Sequence, residues 1–151
     1  MVHMEGEVVV NRPLEMMFDF VADARNEPRY NRHILHAEKT SSGPIGVGSR
    51  FRNETASMGR TTEWVIEITS YERLRYLATF LRSRAMDIRG AMTFDTVDGA
   101  TRMRWSWDLE PHGIFKLLAP LVGRMGRRLE NRNWENMKHY LESAETPTKK
   151  D

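Results

Sequence analysis

The chain has 151 residues, no cysteine and a net charge of only +2. It is long enough for one domain with a real core, and the near balance of charge gives no reason to expect nucleic acid as a partner. The lack of cysteine excludes disulfides and thiolate chemistry, while an acidic start and the absence of a long apolar run favour a cytoplasmic protein without stable membrane insertion.

The first elements in the chain are a strand and a helix. Residues 4–10 become β-branched and end at Asn11, which can cap a helix that Pro13 opens. In the helix, the apolar residues fall at helical spacing, at Leu14, Met17, Phe18 and Val21. We expect a second short helical turn around residues 27–31.

From Ile34 the apolar residues recur with a period of two, and turn signals divide the chain into six more strands. Short connections predict an antiparallel meander. In three of these strands, polar and apolar residues alternate, which predicts one solvent-exposed face and one apolar face. The apolar positions are Trp64, Ile66 and Ile68, then Met86, Ile88, Met92 and Phe94, then Met103, Trp105, Trp107 and Leu109. The fifth strand is apolar in both registers, and its facing is undecided.

The last element is the one long helical pattern, from Gly113 to Ala144, which Pro120 should kink or restart. Its inner line includes Val122, Gly126, Leu129, Asn133, Met137 and Tyr140. Two of these residues are unusual there, Gly126 and Asn133. Either Gly126 permits close packing and Asn133 bonds a strand side chain, or Gly126 leaves room and Asn133 presents its amide to a bound molecule. We expect residues 145–151 to be a disordered tail.

Several short segments of the sequence resemble those of one known group of proteins. They are RPLEMMFDFVAD at 12–23, followed by Pro28 and Tyr30, GVGSRF at 46–51, LEPHG at 109–113 and NMKHYLE at 136–142. The order and spacing of these segments resemble those in the polyketide cyclase/dehydrase and lipid-transport group of the START-like (SRPBCC, Bet v 1-like) superfamily. Relatives often carry tryptophan where Tyr30 stands.

The resemblance implies an α+β helix-grip fold in residues 1–144. In that fold a seven-stranded curved antiparallel sheet wraps around a long C-terminal helix, with two short helices between strands 1 and 2. It also implies an apolar cavity between sheet and helix. The group includes cyclases, lipid carriers and hormone receptors, so the fold leaves the chemistry open.

Methionine and aromatic side chains on the sheet and the inner line of the helix would form the walls of this cavity. We expect the ligand to contact Tyr30, Phe51, Asn53, Trp64, Ile66, Met86, Ile88, Met92, Phe94, Met103, Trp105, Trp107, Val122, Met125, Gly126, Leu129 and Asn133.

Catalytic signals in the sequence are weak. There is no Ser-His-Asp set, phosphate loop or dinucleotide fingerprint. His33 and His36 lack a third ligand, so no metal or other cofactor is expected. The weak catalytic candidates are Asn53, Thr55 and Asn133, which are poor acids and bases.

Three hypotheses follow for the function. The leading one is a protein that binds, and on one interpretation transports, a small hydrophobic or amphipathic molecule that is lipid, quinone-like or polyketide-like. The second is a cyclase, aromatase or dehydratase that uses the same cavity. The third is an interaction module with a solid core, which contacts a protein through Trp134 or through the arginines at 82, 84, 89, 102 and 104. A homodimer is left open.

Overall fold

One antiparallel sheet dominates the computed structural model, which describes residues 1–57 and 59–143. Its strands in chain order are β1 (Val2–Val10), β2 (Ile34–Lys39), β3 (Arg50–Ser57), β4 (Arg60–Glu72), β5 (Tyr76–Arg82), β6 (Met86–Val97) and β7 (Ala100–Pro111). They lie in the order β1-β7-β6-β5-β4-β3-β2. The meander predicted for β2 to β7 is therefore present, and β1 extends it by pairing with β7.

Two helices and two 3₁₀ segments cover the sheet. Helix α1 (Leu14–Ala22) and the first 3₁₀ segment (Ala24–Arg29) connect β1 to β2. The second 3₁₀ segment (Gly113–Leu118) leads into helix α2 (Ala119–Ser143). This is the predicted helix-grip fold.

The boundaries differ from the predictions in three places. The first 3₁₀ segment begins three residues before the expected turn at 27–31. The α-helix expected from Gly113 begins only at Ala119, because Pro120 fits best in a first helical turn, where a missing N–H costs no hydrogen bond. Asn11 does not cap α1; its backbone N–H donates to Glu142 Oε1. Ala144 and the tail at 145–151 lie outside the described residues.

The facing of β5, undecided from the sequence, is settled by the structure. Leu77, Thr79 and Leu81 turn to the inner face of the sheet. Phe80 turns outward, where the guanidinium groups of Arg82 and Arg89 lie 4.5 and 4.3 Å from its ring centroid. On the same outer face Arg102 pairs with Asp95, and Arg104 pairs with Glu7. Two of the five arginines on this surface, Arg102 and Arg104, are therefore paired with carboxylates of the same chain.

Two cross-strand pairs of glycine and tryptophan shape the inner face. Gly6 lies opposite Trp105, and Gly90 lies opposite Trp107. A Cβ atom on Gly6 would lie 2.7 Å from the Trp105 ring, and one on Gly90 would lie 1.7 Å from the Trp107 ring. Each indole therefore lies flat across the glycine of the neighbouring strand, which a larger residue would prevent.

The two halves of α2 cover the sheet differently. The second half buries Asn133, Trp134, Met137 and Leu141. In the first half, Gly123 and Gly126 bring the helix close to β1, because an added Cβ would lie 2.9 Å from Val2 and from Met4 respectively. This half buries none of its own side chains fully. Its apolar side chains are partly or largely exposed at Leu121, Met125 and Leu129, and the exposed strip continues back to Ile114 and Leu117.

Candidate functional site

A cavity of about 360 Å³ lies between the inner face of the sheet and α2, which lines it from Val122 to Trp134, and α1 and the first 3₁₀ segment also contribute to its wall. This volume falls within the range of roughly 300–1,000 Å³ that is usual for small-molecule sites. Its walls are mainly apolar, and none of the lining residues is Lys or Arg. The core under α2 is therefore not solid, which contradicts the premise of the interaction-module hypothesis.

Most residues expected to meet a ligand do line the cavity. They are Tyr30, Phe51, Asn53, Trp64, Ile66, Met86, Ile88, Met92, Trp107, Val122, Gly126, Leu129 and Asn133, together with the weak catalytic candidate Thr55. Asn53, Thr55 and Asn133 lie in the lining of this one cavity.

Four expected residues do not line the cavity, which corrects the sequence prediction. Phe94 packs edge-on against Phe18 of α1, with ring centroids 4.9 Å apart. Met103 and Trp105 are fully buried and do not reach the cavity. Met125 is 60% exposed on the outer side of α2. Alternation along a strand gives the face of a residue but not its position under the covering helices, so the first three were wrongly included.

The main feature that the sequence prediction missed is a pair of acids. Glu27, from the first 3₁₀ segment, and Glu130, from α2, both line the cavity. A signal for Glu130 was present, because it lies four residues after Gly126 and three before Asn133 and so shares their helix face. The other unpredicted lining residues include Met4, Ile34, Ile68, Leu77, Leu81 and Trp134. Trp134 is only 7% exposed, so it does not offer the partner contact considered above.

Glu130 is held by an indole. Trp107 Nε1 donates a hydrogen bond of 2.9 Å to Glu130 Oε2. Burial raises the pKa of Glu130, and the nearby Trp107 and Trp134 indoles oppose that rise. The Trp134 N–H nevertheless completes no hydrogen bond of good geometry with the described residues. Because Trp107 lies flat over Gly90, the glycine on β6 helps to set where this carboxyl is held.

Glu27 is the more strongly perturbed of the two acids. Burial, and then repulsion from Glu130, raise its pKa from 4.5 to about 8. Asn53 Nδ2 donates to Glu27 Oε2 over 3.3 Å. Neither Glu27 nor Glu130 has an ion pair with a Lys, Arg or His in the described part of the chain. Glu27 is therefore predominantly protonated at neutral pH.

Polar atoms without partners lie beside the two acids. Asn53 is 3% exposed, and its Oδ1 has no hydrogen bond within the described structure. The buried Asn133 also makes no side-chain hydrogen bond to a described residue, so it does not bond a strand side chain, as one interpretation of the sequence required. Buried polar groups are nearly always paired with protein or water. The free atoms face a cavity that can hold such a partner.

The hydroxyl groups of Thr55 and Tyr30 have fewer chemical roles available to them. The Thr55 hydroxyl accepts a hydrogen bond from Trp64 Nε1 at 3.2 Å and donates to Thr62 O at 3.4 Å. Burial, together with the nearby Glu27 and Glu130, raises the pKa of Tyr30 well above its ordinary value. The Tyr30 hydroxyl therefore stays protonated and can serve only as a neutral hydrogen-bonding group.

Leu129 lines the cavity and is also 40% exposed, which makes it the candidate position for the opening of the cavity. His33, at the β2 side of the cavity, is exposed as well. Among residues 1–57 and 59–143 no group of three or more His, Cys, Asp and Glu is placed to hold a metal ion, and no helix there is long and apolar enough to cross a membrane.

Solved structures share this architecture. The protein TTHA0849 from Thermus thermophilus superposes with a TM-score of 0.80 at 18% identity, covering 95% of this chain and 99% of that one. The Zhui aromatase/cyclase from Streptomyces sp. R1128 gives 0.71 at 15% identity, covering 93% and 91%. A START superfamily protein from Mycobacterium smegmatis gives 0.70 at 17% identity, covering 93% and 94%. At these identities the likeness shows the fold alone.

The sequence comparison gives the family. No curated protein matches the chain. Residues 1–142 match the family model described as polyketide cyclase / dehydrase and lipid transport. Because this match spans almost the whole chain and the fold agrees with it, the protein belongs to the polyketide cyclase/dehydrase and lipid-transport family.

Proposed function

We propose that the protein binds one small amphipathic molecule in the cavity under α2. The observation that carries this proposal is an apolar cavity of about 360 Å³ with unpaired polar atoms in its wall. The apolar walls would hold an alkyl or ring system, since each buried methylene contributes about 0.8 kcal/mol. The free Oδ1 of Asn53 and the amide group of Asn133, which lines the same cavity, would pair with the polar group of the ligand.

Two neighbouring residues of β4 allow a matched test. Ile66 faces the cavity, whereas Val65 is 43% exposed on the outer face. Ile66→Trp fills the void, so we expect it to abolish the fluorescence gain of the neutral dye Nile red. Val65→Trp adds the same indole outside and should leave binding unchanged. Circular dichroism and thermal unfolding establish that both variants fold. Undiminished dye binding by folded Ile66→Trp would contradict the proposal.

A second candidate is an enzyme of the cyclase or dehydratase type, and Glu27 is the observation that favours it. A carboxyl that keeps its proton near neutral pH can donate it to the β-hydroxyl, which departs as water, while the α-proton would pass to the second lining carboxyl, Glu130, as the C=C bond forms. Incubation with a short β-hydroxyacyl thioester tests this by mass spectrometry, because dehydration removes one water. Turnover by wild type that is lost in Glu27→Gln, with dye binding retained, would favour the enzyme. An intact ligand retained through native mass spectrometry would favour the carrier.

A further inference from the structure

We propose that the polar part of the cavity selects a ligand with a basic nitrogen, a lipophilic amine whose ammonium group binds between Glu27 and Glu130. This inference rests on the proposed function and names the ligand class for the same cavity. It begins from the convergence of two acids, from the first 3₁₀ segment and from α2, on one apolar space.

The hydrogen bonding of these acids is incomplete. Glu27 receives one side-chain hydrogen bond from Asn53, and Glu130 receives one of good geometry from Trp107. An ionised carboxylate has about four acceptor sites. Both groups therefore have acceptor capacity left on the side of the cavity.

The protein supplies no counter-ion to the pair. The lining residues include no Lys or Arg. His33 is the one lining histidine; it is exposed and forms no ion pair with either acid, so the repulsion between Glu27 and Glu130 is not offset by an ion pair with any described residue. Two carboxyls in an apolar site need either a proton or a cation, because desolvation and mutual repulsion oppose ionisation of both. An ammonium ion bound between them meets that need.

The surroundings of the acids also fit a cationic donor. The orphan Oδ1 of Asn53 is an acceptor, which pairs with N–H groups of a ligand. The rings of Tyr30, Trp107 and Trp134 also line the cavity: Trp107 donates to Glu130, and Tyr30 lies near both acids with its ring centroid 6.0 Å from that of Trp134. Aromatic faces attract ammonium groups. The apolar walls beyond them suit an alkyl or ring system attached to the nitrogen.

The same observations disfavour an acidic ligand. A fatty-acid carboxylate or a phosphate would bring a further negative charge beside Glu27 and Glu130, with no lining Lys or Arg to compensate. An uncharged alcohol would keep the apolar contacts but leave the acids without a cation. We therefore expect the order of affinity to be amine, then alcohol, then carboxylate.

Three probes of equal chain length test this order: dodecylamine, dodecanol and dodecanoate, each kept below its micelle concentration and titrated by Nile red displacement. We expect the amine to bind about ten-fold or more tightly than the alcohol, a difference of about 1.4 kcal/mol. Amine affinity should also rise from pH 6 to 8, because the amine must displace the proton of Glu27. Dodecanol affinity should not rise.

Three variants test whether Glu27 and Glu130 cause the preference for the amine. Glu27→Gln and Glu130→Gln should lose the preference for the amine and keep dodecanol binding, whereas Glu135→Gln, at an exposed position of α2, should behave as wild type. If a Gln variant fails to bind dodecanol because it does not fold, the pH dependence of amine affinity in the wild-type protein tests the inference instead. Equal binding of amine and alcohol, or an amine affinity independent of pH, would overturn the inference and leave the proposed function standing. Failure of all three probes to displace bound Nile red would overturn the inference and leave the proposed function standing, whereas failure of Nile red itself to bind in the cavity would overturn both.

Discussion

The inner face of the sheet has a packed end and a hollow end built from the same kinds of residue. At the packed end Phe94 lies against Phe18 of α1, and Met103 and Trp105 are fully buried outside the cavity lining. At the hollow end Trp64, Met86, Trp107 and their neighbours line the cavity under α2. Methionine and tryptophan occur in both. The covering element, and not the residue type, decides which end is filled.

The largest expected effect comes from removing a side chain at each end. Met137 is fully buried at the packed end, and Met86 is half-buried at the cavity. Met137→Ala should lower the free energy of unfolding by about 2–5 kcal/mol, because it leaves a new void in close packing. Met86→Ala should cost less than about 1.5 kcal/mol, because one side of this residue already lacks neighbours. Urea denaturation measures both, and equal losses would show that the two ends do not differ in packing.

The second-largest effect on stability is expected at Gly90, the glycine beneath the Trp107 indole at the hollow end. Gly90→Ala places a methyl group within the Trp107 ring, so the indole must move. We expect a loss of about 1–3 kcal/mol, together with weaker dodecylamine binding, because Glu130 loses its donor. Gly46→Ala is the control, since its new Cβ would meet nothing within 4 Å. A crystal structure of Gly90→Ala with the Trp107–Glu130 hydrogen bond intact would contradict this account.

A gain in stability is expected at Glu27. Its pKa is about 8 in the folded protein against an ordinary 4.5, so the folded state holds more protons between these values. The contribution of Glu27 to stability therefore falls as the pH rises from about 4.5 to 8. Glu27→Gln removes this dependence and should stabilise the protein by about 1–3 kcal/mol at pH 8, and by much less at pH 5. Urea titrations at both pH values measure the change, and a stability difference independent of pH would refute it.

The smallest effect on stability is expected at the mouth of the cavity. Leu129 is 40% exposed although it lines the cavity. Leu129→Ser should change the free energy of unfolding by no more than about 1 kcal/mol, yet it should speed dissociation of Nile red by removing part of the barrier at the opening. Leu121→Ser, on the same exposed strip but not in the lining, is the control. Stopped-flow displacement gives the two rates, and equal rates would place the exit elsewhere.

Much of the fold could be predicted because it depends on local patterns. Alternation placed Ile66 and Trp107 on the inner face, and turn residues divided the meander correctly. The extent of the cavity could not be predicted, because whether Phe94 meets a ligand or Phe18 depends on where α1 lies above the sheet. Glu130 was missed for a different reason. A charged residue on an inner helix face is normally costly, and the cost is reduced here by an indole from a distant strand.

The pairing of Gly90 with Trp107 also has a consequence for how related sequences evolve. The indole fits only over glycine, and Glu130 has its donor only while the indole lies there. Three positions on β6, β7 and α2 should therefore be inherited together, although each is ordinary alone. A relative that has lost the glycine is expected to have lost the tryptophan or the acid as well, and with it the selectivity proposed for this cavity.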